Sequence, residues 1–464
     1  MEDQPGSSDT SPEIETGEPE SGGGIFYGWY IVAAMFFATF IGVGTRQGFG
    51  VFVKAWEDDF GTSVGLISVA AGIGWAVNGL LQPVFGRLTD IYGGRRVMII
   101  SITALGFSTI AVGLVPNVYF LIAVYGFVLS ATAGGVFPTP MSSVVSRWFH
   151  RKRGTAISLF TAGGSFGGML MVPFAAYLLV IADWRTAWFV MGGIMVFLGM
   201  PLLVAIIRDS PSDMGLEPDG GPGKRETTDD SEGRTSTPTT IRIAPLEAHK
   251  WMDSFRSAPM WQLSLTFAVC GVTTAMISVH FVRWAETEGI SAGTAALAFG
   301  VLSAFNFMGL VSAGWISDHM PRKYLLATVY WARALAFLGL IFLPGQMALW
   351  TFAVLGGASW LATLPLTSGL TADVYGLRNI GTLNGLAQMS HQVAGGTAVV
   401  VTGVVFAVWD TYNPTFAVGA VLLVAAGFAS IAIQEHKYSI RYQTPVPAPP
   451  AATPFSVSAI ADGD

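Results

Sequence analysis

The sequence predicts an all-α polytopic membrane protein in which twelve transmembrane helices form two pseudo-symmetric six-helix bundles. Hydrophobic residues occupy 52% of the 464 positions and charged residues 12%, and the mean hydropathy is +0.55. Soluble domains carry about 25% charged residues, so most of this chain avoids water. Because roughly 20 apolar residues cross a bilayer, the length accommodates twelve crossings with loops and tails. The same composition excludes a soluble enzyme.

The apolar spans fall in two sets of six, and charges or Gly, Pro and Asn signals end each span. They lie near 28–52, 64–86, 97–115, 118–146, 155–181 and 186–207, then near 260–282, 293–317, 324–344, 347–373, 382–407 and 414–434. The predicted organisation is an N-terminal tail (1–26), a bundle (27–208), a linker (209–257), a second bundle (258–435) and a C-terminal tail (436–464). The tails and the linker are polar and rich in Gly, Ser or Pro, which predicts disorder rather than further domains.

The basic residues of the short loops predict the orientation. With both termini in the cytoplasm, the loops after spans 2, 4, 8 and 10 carry ten Lys and Arg residues, and the opposite loops carry three. Short cytoplasmic loops are enriched in these residues, so we expect a multi-pass plasma-membrane protein (inner membrane in a bacterium) with both termini cytoplasmic. We interpret the run Arg151–Arg153 as such a topology determinant. The bases are scattered over loops, so no nucleic-acid partner is expected.

A motif recurs at the same place in each half. Gly86-Arg-Leu-Thr-Asp90 follows span 2, and Gly314-Trp-Ile-Ser-Asp318 follows span 8; a basic pair stands behind each copy. Duplicated halves around a central site are typical of secondary transporters that work by alternating access. No G-x-x-x-x-G-K-[ST] sequence is present, so ATP is not expected to drive transport.

These motifs resemble a known family. GRLTDIYGGRR is similar to the loop motif of the major facilitator superfamily, and GWISDHMPRK resembles a degenerate second copy, with Ile91 and His319 where the family usually has Arg. WFHRKRGTAISLFTAGG and YGWYIVAA resemble the monocarboxylate transporter family, especially its prokaryotic members. The resemblance implies the major facilitator fold and rocker-switch transport of small organic anions, above all monocarboxylates, by a monomer. Alternatives are an exchanger or exporter of dicarboxylates or larger amphipathic solutes, and a transporter-like sensor.

The resemblance also implies a gate. Asp90 can accept hydrogen bonds from a helix N-terminus or an arginine of the other half, which would hold one access state closed. The predicted gating residues are Gly86, Asp90, Arg95, Arg96, Asp318 and Arg322. The alternative is that Gly86 only permits close helix packing while the arginines contact lipid phosphates.

Polar groups inside spans are costly and mark candidate substrate contacts. The candidates are Arg46, Tyr125, His280, Arg283, Asn306, Gln388 and His391. Arg46 is favoured most because no acid lies within two helical turns of it on span 1, and an unpaired buried guanidinium is unfavourable. A substrate carboxylate would supply the missing partner through two parallel hydrogen bonds. The alternative is that Arg46 extends to the outer interface.

The sequence leaves open whether transport is coupled to protons. Animal monocarboxylate transporters have an Asp and an Arg in span 8, where this chain has Asn306 and Leu310, and no acid of the bundles lies mid-span. A proton would therefore travel on the substrate, at an interfacial acid, or on a histidine such as His280 or His391, because histidine changes charge between pH 5 and 8. With a single cysteine, Cys270, and no histidine cluster, neither a metal nor another cofactor is expected. The expected partners are the anion, protons and membrane lipid.

Overall fold

The computed structural model describes residues 25–219, 246, 250–439 and 442. Most of the predicted tails (1–26 and 436–464) and of the predicted linker (209–257) lies outside the described residues. The described part of the chain is helical, with no strand and a single isolated β-bridge between Phe149 and Asp219.

Twelve helical segments, α1–α12, follow the twelve predicted spans. Their bounds are Gly28–Phe60, Val64–Tyr92, Gly94–Val112, Val118–Trp148, Arg153–Ile181, Trp184–Ile206, Ala258–Thr287, Ala292–His319, Arg322–Phe342, Gly345–Tyr375, Ile380–Trp409 and Asn413–Ile431. Among the described residues, eleven of these segments are long and apolar enough to cross a membrane, and α10 is not among them. Segment α4 also departs from regular α-helix, through a 3-10 turn at Gly134–Val136 and an extended Phe137. The predicted all-α architecture is confirmed.

Helix α10 is interrupted near its middle. It runs through Gly345–Thr351 and a π-helical turn, Phe352–Gly356, and resumes only at Thr363–Tyr375. Gly356 and Gly357 lie at the interruption, and glycine is among the poorest helix formers. A break inside a membrane must find partners for its freed backbone groups. Here Arg333 and Asn306 supply them.

Each half has its own hydrophobic core, and the halves meet along two seams. One core is built from α1–α6 and the other from α7–α12. Helix α2 packs against α11, and α5 packs against α8. Within the halves, α1 packs on α5 and α7 packs on α11 in the same way. The repeat seen in the sequence is thus a repeat of helix pairing.

The two ends of the bundle cap their helices differently. We call the end with the loops after α2, α4, α8 and α10 the basic end, and the other the opposite end. At the opposite end, α2, α4, α6 and α8 are each preceded by a residue whose side chain accepts from the first turn: Ser63, Asn117, Asp183 and Ser291. Hydrogen bonds from the side chain and backbone of Thr186 lower the pKa of Asp183. At the basic end, α5 and α11 have no such local cap.

Glycines along α2 show how the seam changes from one end to the other. A Cβ on Gly86 would overlap the backbone of Gly381, and one on Gly79 would press on Gln392 at 2.6 Å. One on Gly72, further towards the opposite end, would meet no atom within 4 Å, and the same holds for Gly396 on α11. The halves are therefore in backbone contact at the basic end and separate towards the opposite end.

The first described part of the predicted linker packs on the basic end. The Asp209 carboxylate accepts from the Arg95 amide at 2.8 Å, at the start of α3. Asp219 pairs with Phe149, and its carboxylate accepts from the Lys152 amide at 3.0 Å. Residues 209–219 thus lie against the N-terminal half, because their carboxylates satisfy backbone amides that the helices leave open.

Candidate functional site: a closed end and a buried arginine

At the α2–α11 seam, Asp90 caps a helix of the other half. Its carboxylate accepts from the amides of Gly381 and Thr382 at 2.9 and 2.8 Å, and from the Thr382 hydroxyl at 2.5 Å. The first amides of a helix lack partners, and the helix dipole favours a negative charge there. Gly86, one turn earlier, allows the backbones to come this close. The contact expected of Asp90 is present, whereas its gating role stays a prediction.

The α5–α8 seam repeats this arrangement. Asp318 accepts from the amides of Gly154 and Thr155 at 2.7 and 2.9 Å, and from the Thr155 hydroxyl at 2.7 Å. The two capped helices begin with similar residues, Arg153-Gly-Thr and Ile380-Gly-Thr. The sequence analysis missed these threonines, although the recurring Gly-Thr pair could have indicated them.

A buried ion cluster adjoins the Asp318 cap. Asp373, near the end of α10, pairs with Arg153 of the other half at 2.7 Å and also with Arg322. The three side chains are 1–2% exposed, and Arg322 lies 3.5 Å from Asp318. Arg153 therefore joins the two halves, which its interpretation as a topology determinant did not foresee. Arg322, predicted as a gating residue, lies in this cluster.

The remaining predicted gating residues do not contact the other half through a described hydrogen bond. The Arg95 side chain donates to the Val204 carbonyl at 3.0 Å, within the N-terminal half. Arg96 is exposed on α3. In the C-terminal half the equivalent helix start is capped by Glu435, which accepts from the amides of Arg322 and Lys323 at 3.1 and 3.0 Å.

Arg46 lies inside the N-terminal half, where α1, α3 and α4 meet. It lines a small cavity with Gly42, Val43, Leu105, Ala133, Val136 and Phe137. Its Nε is buried and has no hydrogen-bond partner, and it is in none of the ion pairs among the described residues. The Tyr125 side chain on α4 interacts with the guanidinium. Two predicted substrate residues, Arg46 and Tyr125, are thus neighbours.

A second group of predicted residues lies in the C-terminal half. His391 and Gln388 are both buried on α11. The His391 ring lies 4.8 Å from that of Phe267, and its Nε2 is 3.5 Å from the Thr274 hydroxyl. Its Nδ1 is buried without a hydrogen-bond partner.

Asn306 and Arg333 hold the interruption of α10. The Asn306 amide nitrogen donates to the Ser165 hydroxyl of the other half at 2.9 Å, and its oxygen accepts from the Leu361 amide at 3.1 Å. Arg333 is fully buried and donates to the carbonyls of Ser359 and Trp360. Arg333 therefore has a structural role at this break, although its Nε is buried without a hydrogen-bond partner.

The last two candidates lie towards the opposite end of α7. His280 Nε2 is 3.1 Å from the Val399 carbonyl, and its ring is 5.5 Å from that of Tyr412. The Arg283 side chain is 64% exposed and pairs with Glu286 at 3.3 Å. Arg283 therefore lies on the surface and not in the buried group around Arg46.

Two helix bundles that close on each other at one end through a duplicated Gly-x-x-x-Asp motif define a membrane transporter. The chain belongs to the Major Facilitator Superfamily, whose family model matches residues 35–399. It is 25% identical over 411 residues to the uncharacterized MFS-type transporter YcxA of Bacillus subtilis (strain 168), covering 87% of this chain and 93% of that one.

Two further similarities agree with this assignment. Monocarboxylate transporter 13 of Bos taurus is 25% identical over 420 residues, which are 88% of this chain and 89% of the relative. The structure of FucP from E. coli, in the outward conformation, matches with a TM-score of 0.63 at 14% identity, over 86% of this chain and 97% of FucP. The family resemblance predicted from the loop motif is confirmed.

Proposed function

We propose that this protein is a secondary transporter that moves small organic anions, above all monocarboxylates, by rocker-switch alternating access. The basic end faces the cytoplasm together with both termini, and the membrane is the plasma membrane. The similarity to a monocarboxylate transporter over most of both chains supports the substrate class. The excess of Lys and Arg in the loops of the basic end supports the orientation.

The observation that carries the substrate class is the environment of Arg46. A partly buried guanidinium that has an unpaired Nε and no carboxylate partner among the described residues favours an anion as its partner, for which the small cavity beside it would have to widen. The Tyr125 hydroxyl would offer a further donor beside it. A carboxylate matches the two parallel N–H groups of arginine, and this geometry discriminates against uncharged solutes.

The transport cycle would open the basic end. The caps made by Asp90 and Asp318 and the pair between Arg153 and Asp373 all join the two halves. Rocking the halves apart would break these contacts and expose the interior to the cytoplasm. The separated glycines at the opposite end are consistent with a state that faces outwards.

The substrate proposal is tested by uptake into proteoliposomes. Arg46→Gln should abolish uptake and binding of small carboxylates, and Arg46→Lys should retain weakened uptake. Arg256→Gln, an exposed arginine outside the bundles, is the matched control. Full uptake by Arg46→Gln at equal protein content would refute the assignment. A panel of monocarboxylates, dicarboxylates and larger amphipathic solutes separates the proposed class from its alternative.

Proton symport would use His391, whose buried Nδ1 is the one ring nitrogen there without a partner. If uptake changes between pH 5 and 8, His391→Gln should flatten that dependence. His436→Gln, an exposed histidine beyond α12, serves as the control. An unchanged pH profile in His391→Gln would remove His391 from the coupling.

A further inference from the structure

A cavity of about 510 Å³ lies at the basic end of the α5–α8 seam. It is formed where the start of α1, the loop before α5 and the end of α8 meet. It is separate from the Arg46 cavity and from the contacts that the proposed substrate would make. Nothing in the transport proposal assigns it a ligand.

The charges around this cavity favour an anion. Arg151 and Lys152 line it and are exposed. Asp318 also lines it, but its carboxylate accepts from the first turn of α5 and lies near Arg322. His150 and His319 add two imidazoles to the wall. Two cations therefore remain for a ligand, whereas the acid is already engaged.

The aromatic side chains around the cavity are of the type found at the depth of lipid headgroups. Trp29 and Trp315 both line it, and Trp315 is 59% exposed. Lys152 Nζ lies 6.0 Å from the Trp29 ring, and the His319 ring lies 4.7 Å from that of Trp315. Tryptophan is enriched at the membrane–water interface, and clusters of basic residues there attract anionic headgroups.

The α2–α11 seam has different residues at the positions that match the wall of this cavity. By position relative to the capped helix, Leu377, Arg378 and Asn379 take the places of His150, Arg151 and Lys152. One of these three positions is a cation, and Arg87 supplies a second one at the place of Trp315, so both seams carry two cations and differ in where they stand. Ile91 takes the place of His319. The adjacent pair Arg151 and Lys152, together with Trp315 and the two histidines, therefore distinguishes the α5–α8 seam from the motif that both seams share.

We propose that this cavity binds a phosphate-bearing anion through Arg151 and Lys152. The phosphate belongs either to an anionic lipid headgroup or to a soluble molecule. Because Thr155 and Asp318 form part of the wall, the cavity is complete only while their hydrogen bond holds the seam closed. A ligand bound there would favour the state in which the basic end is closed.

The proposal is tested by thermal unfolding of the purified protein in an uncharged detergent. Phosphatidylglycerol, phosphatidylcholine and inorganic phosphate are titrated separately, since a ligand of the native state raises the unfolding temperature. The variant is Arg151→Gln with Lys152→Gln. The control is Arg87→Gln with Arg378→Gln, which removes two exposed charges from the same end.

We expect phosphatidylglycerol to raise the unfolding temperature of the parent and the control more than phosphatidylcholine does. In the double variant, the rise in unfolding temperature caused by phosphatidylglycerol should be less than half of the rise in the parent. Native mass spectrometry should likewise find fewer retained phosphatidylglycerol molecules on that variant. If inorganic phosphate raises the unfolding temperature of the parent as much as phosphatidylglycerol does, and this rise is also lost in the double variant, the ligand is a soluble molecule. Equal shifts in all three proteins, or none in the parent, would overturn the proposal.

Discussion

The two seams share one cap and differ in what lies behind it. Both Asp90 and Asp318 accept from two amides and a threonine hydroxyl of a helix in the other half. Among the residues that the structure describes, the α5–α8 seam alone adds a buried ion cluster, centred on Asp373.

The positions that match the ion cluster are uncharged in the N-terminal half. Ser146 lies two residues before the end of α4, as Asp373 lies before the end of α10. Ile380 and Gly94 begin α11 and α3, where Arg153 and Arg322 begin α5 and α9. Closing the basic end therefore rests on a repeated carboxylate cap. The α5–α8 seam adds a buried ion pair between the halves, Arg153 with Asp373, which breaks if the halves rock apart.

The largest expected effect comes from Asp373→Asn. It leaves Arg153 and Arg322 without their shared carboxylate, and breaking a buried ion pair costs about 3–5 kcal/mol. We expect a clear fall in the unfolding temperature and a closed state that is less populated, measured by distances between spin labels across the α5–α8 seam.

Ser146→Ala at the matching position is the control. The Ser146 hydroxyl is buried without a partner, so its removal should leave stability unchanged or slightly raised. If both variants lost the same stability, the ion cluster would not distinguish the two seams.

An intermediate effect is expected when the caps themselves are changed. Asp90→Asn and Asp318→Asn each replace a charged acceptor of three hydrogen bonds by a neutral one, and because hydrogen bonds to charged groups are the stronger ones, we expect a cost of about 2 kcal/mol. Asp318→Asn should cost more, because Arg322 lies near Asp318 as well as Asp373. Both variants should slow transport more than they weaken substrate binding, since they act on the equilibrium between access states.

To test this prediction, the uptake rate and the binding affinity for substrate are measured on the same preparation of each cap variant. Arg87→Gln is the control, because it changes the loop motif without touching a cap. Parental kinetics in Asp90→Asn would leave Asp90 a topology residue and restrict the gate to the α5–α8 seam.

Local patterns in the sequence predicted most of the fold, and contacts between distant helices account for what they missed. Twelve apolar spans and the duplicated motif were enough for the helix number and the two halves. The family resemblance left open whether Asp90 contacts a helix N-terminus or an arginine of the other half. The break in α10 was missed because Leu, Ala and Trp around Gly356 keep the segment apolar throughout. Its stability depends on Arg333 and Asn306, which belong to other helices.

The candidate site was predicted less completely than the fold. Hydropathy identifies a costly arginine in a span, but it cannot say whether that arginine has a partner. Arg46 and Arg333 look alike in the sequence, yet only Arg333 donates to backbone carbonyls. The sequence could not separate Arg283 from Arg153 for the related reason that burial near a helix end depends on tertiary packing. Arg283 is exposed, and Arg153 is buried.

The smallest effect isolates the part that both seams share. Thr155→Val and Thr382→Val each remove one hydroxyl donor to a carboxylate and keep both amide donors. The loss should be about 1 kcal/mol in each case, and the double variant should show the sum, because the two sites have no common partner. Spin-label distances across each seam would measure the population of the closed state, with Thr328→Val on the exposed face of α9 as the control.

Equal effects of Thr155→Val and Thr382→Val would mean that the caps work independently of the ion cluster. A larger loss in Thr155→Val would mean that Asp318 depends on Thr155 to stay in place beside Arg322, so that the cap and the ion cluster act as one unit at that seam.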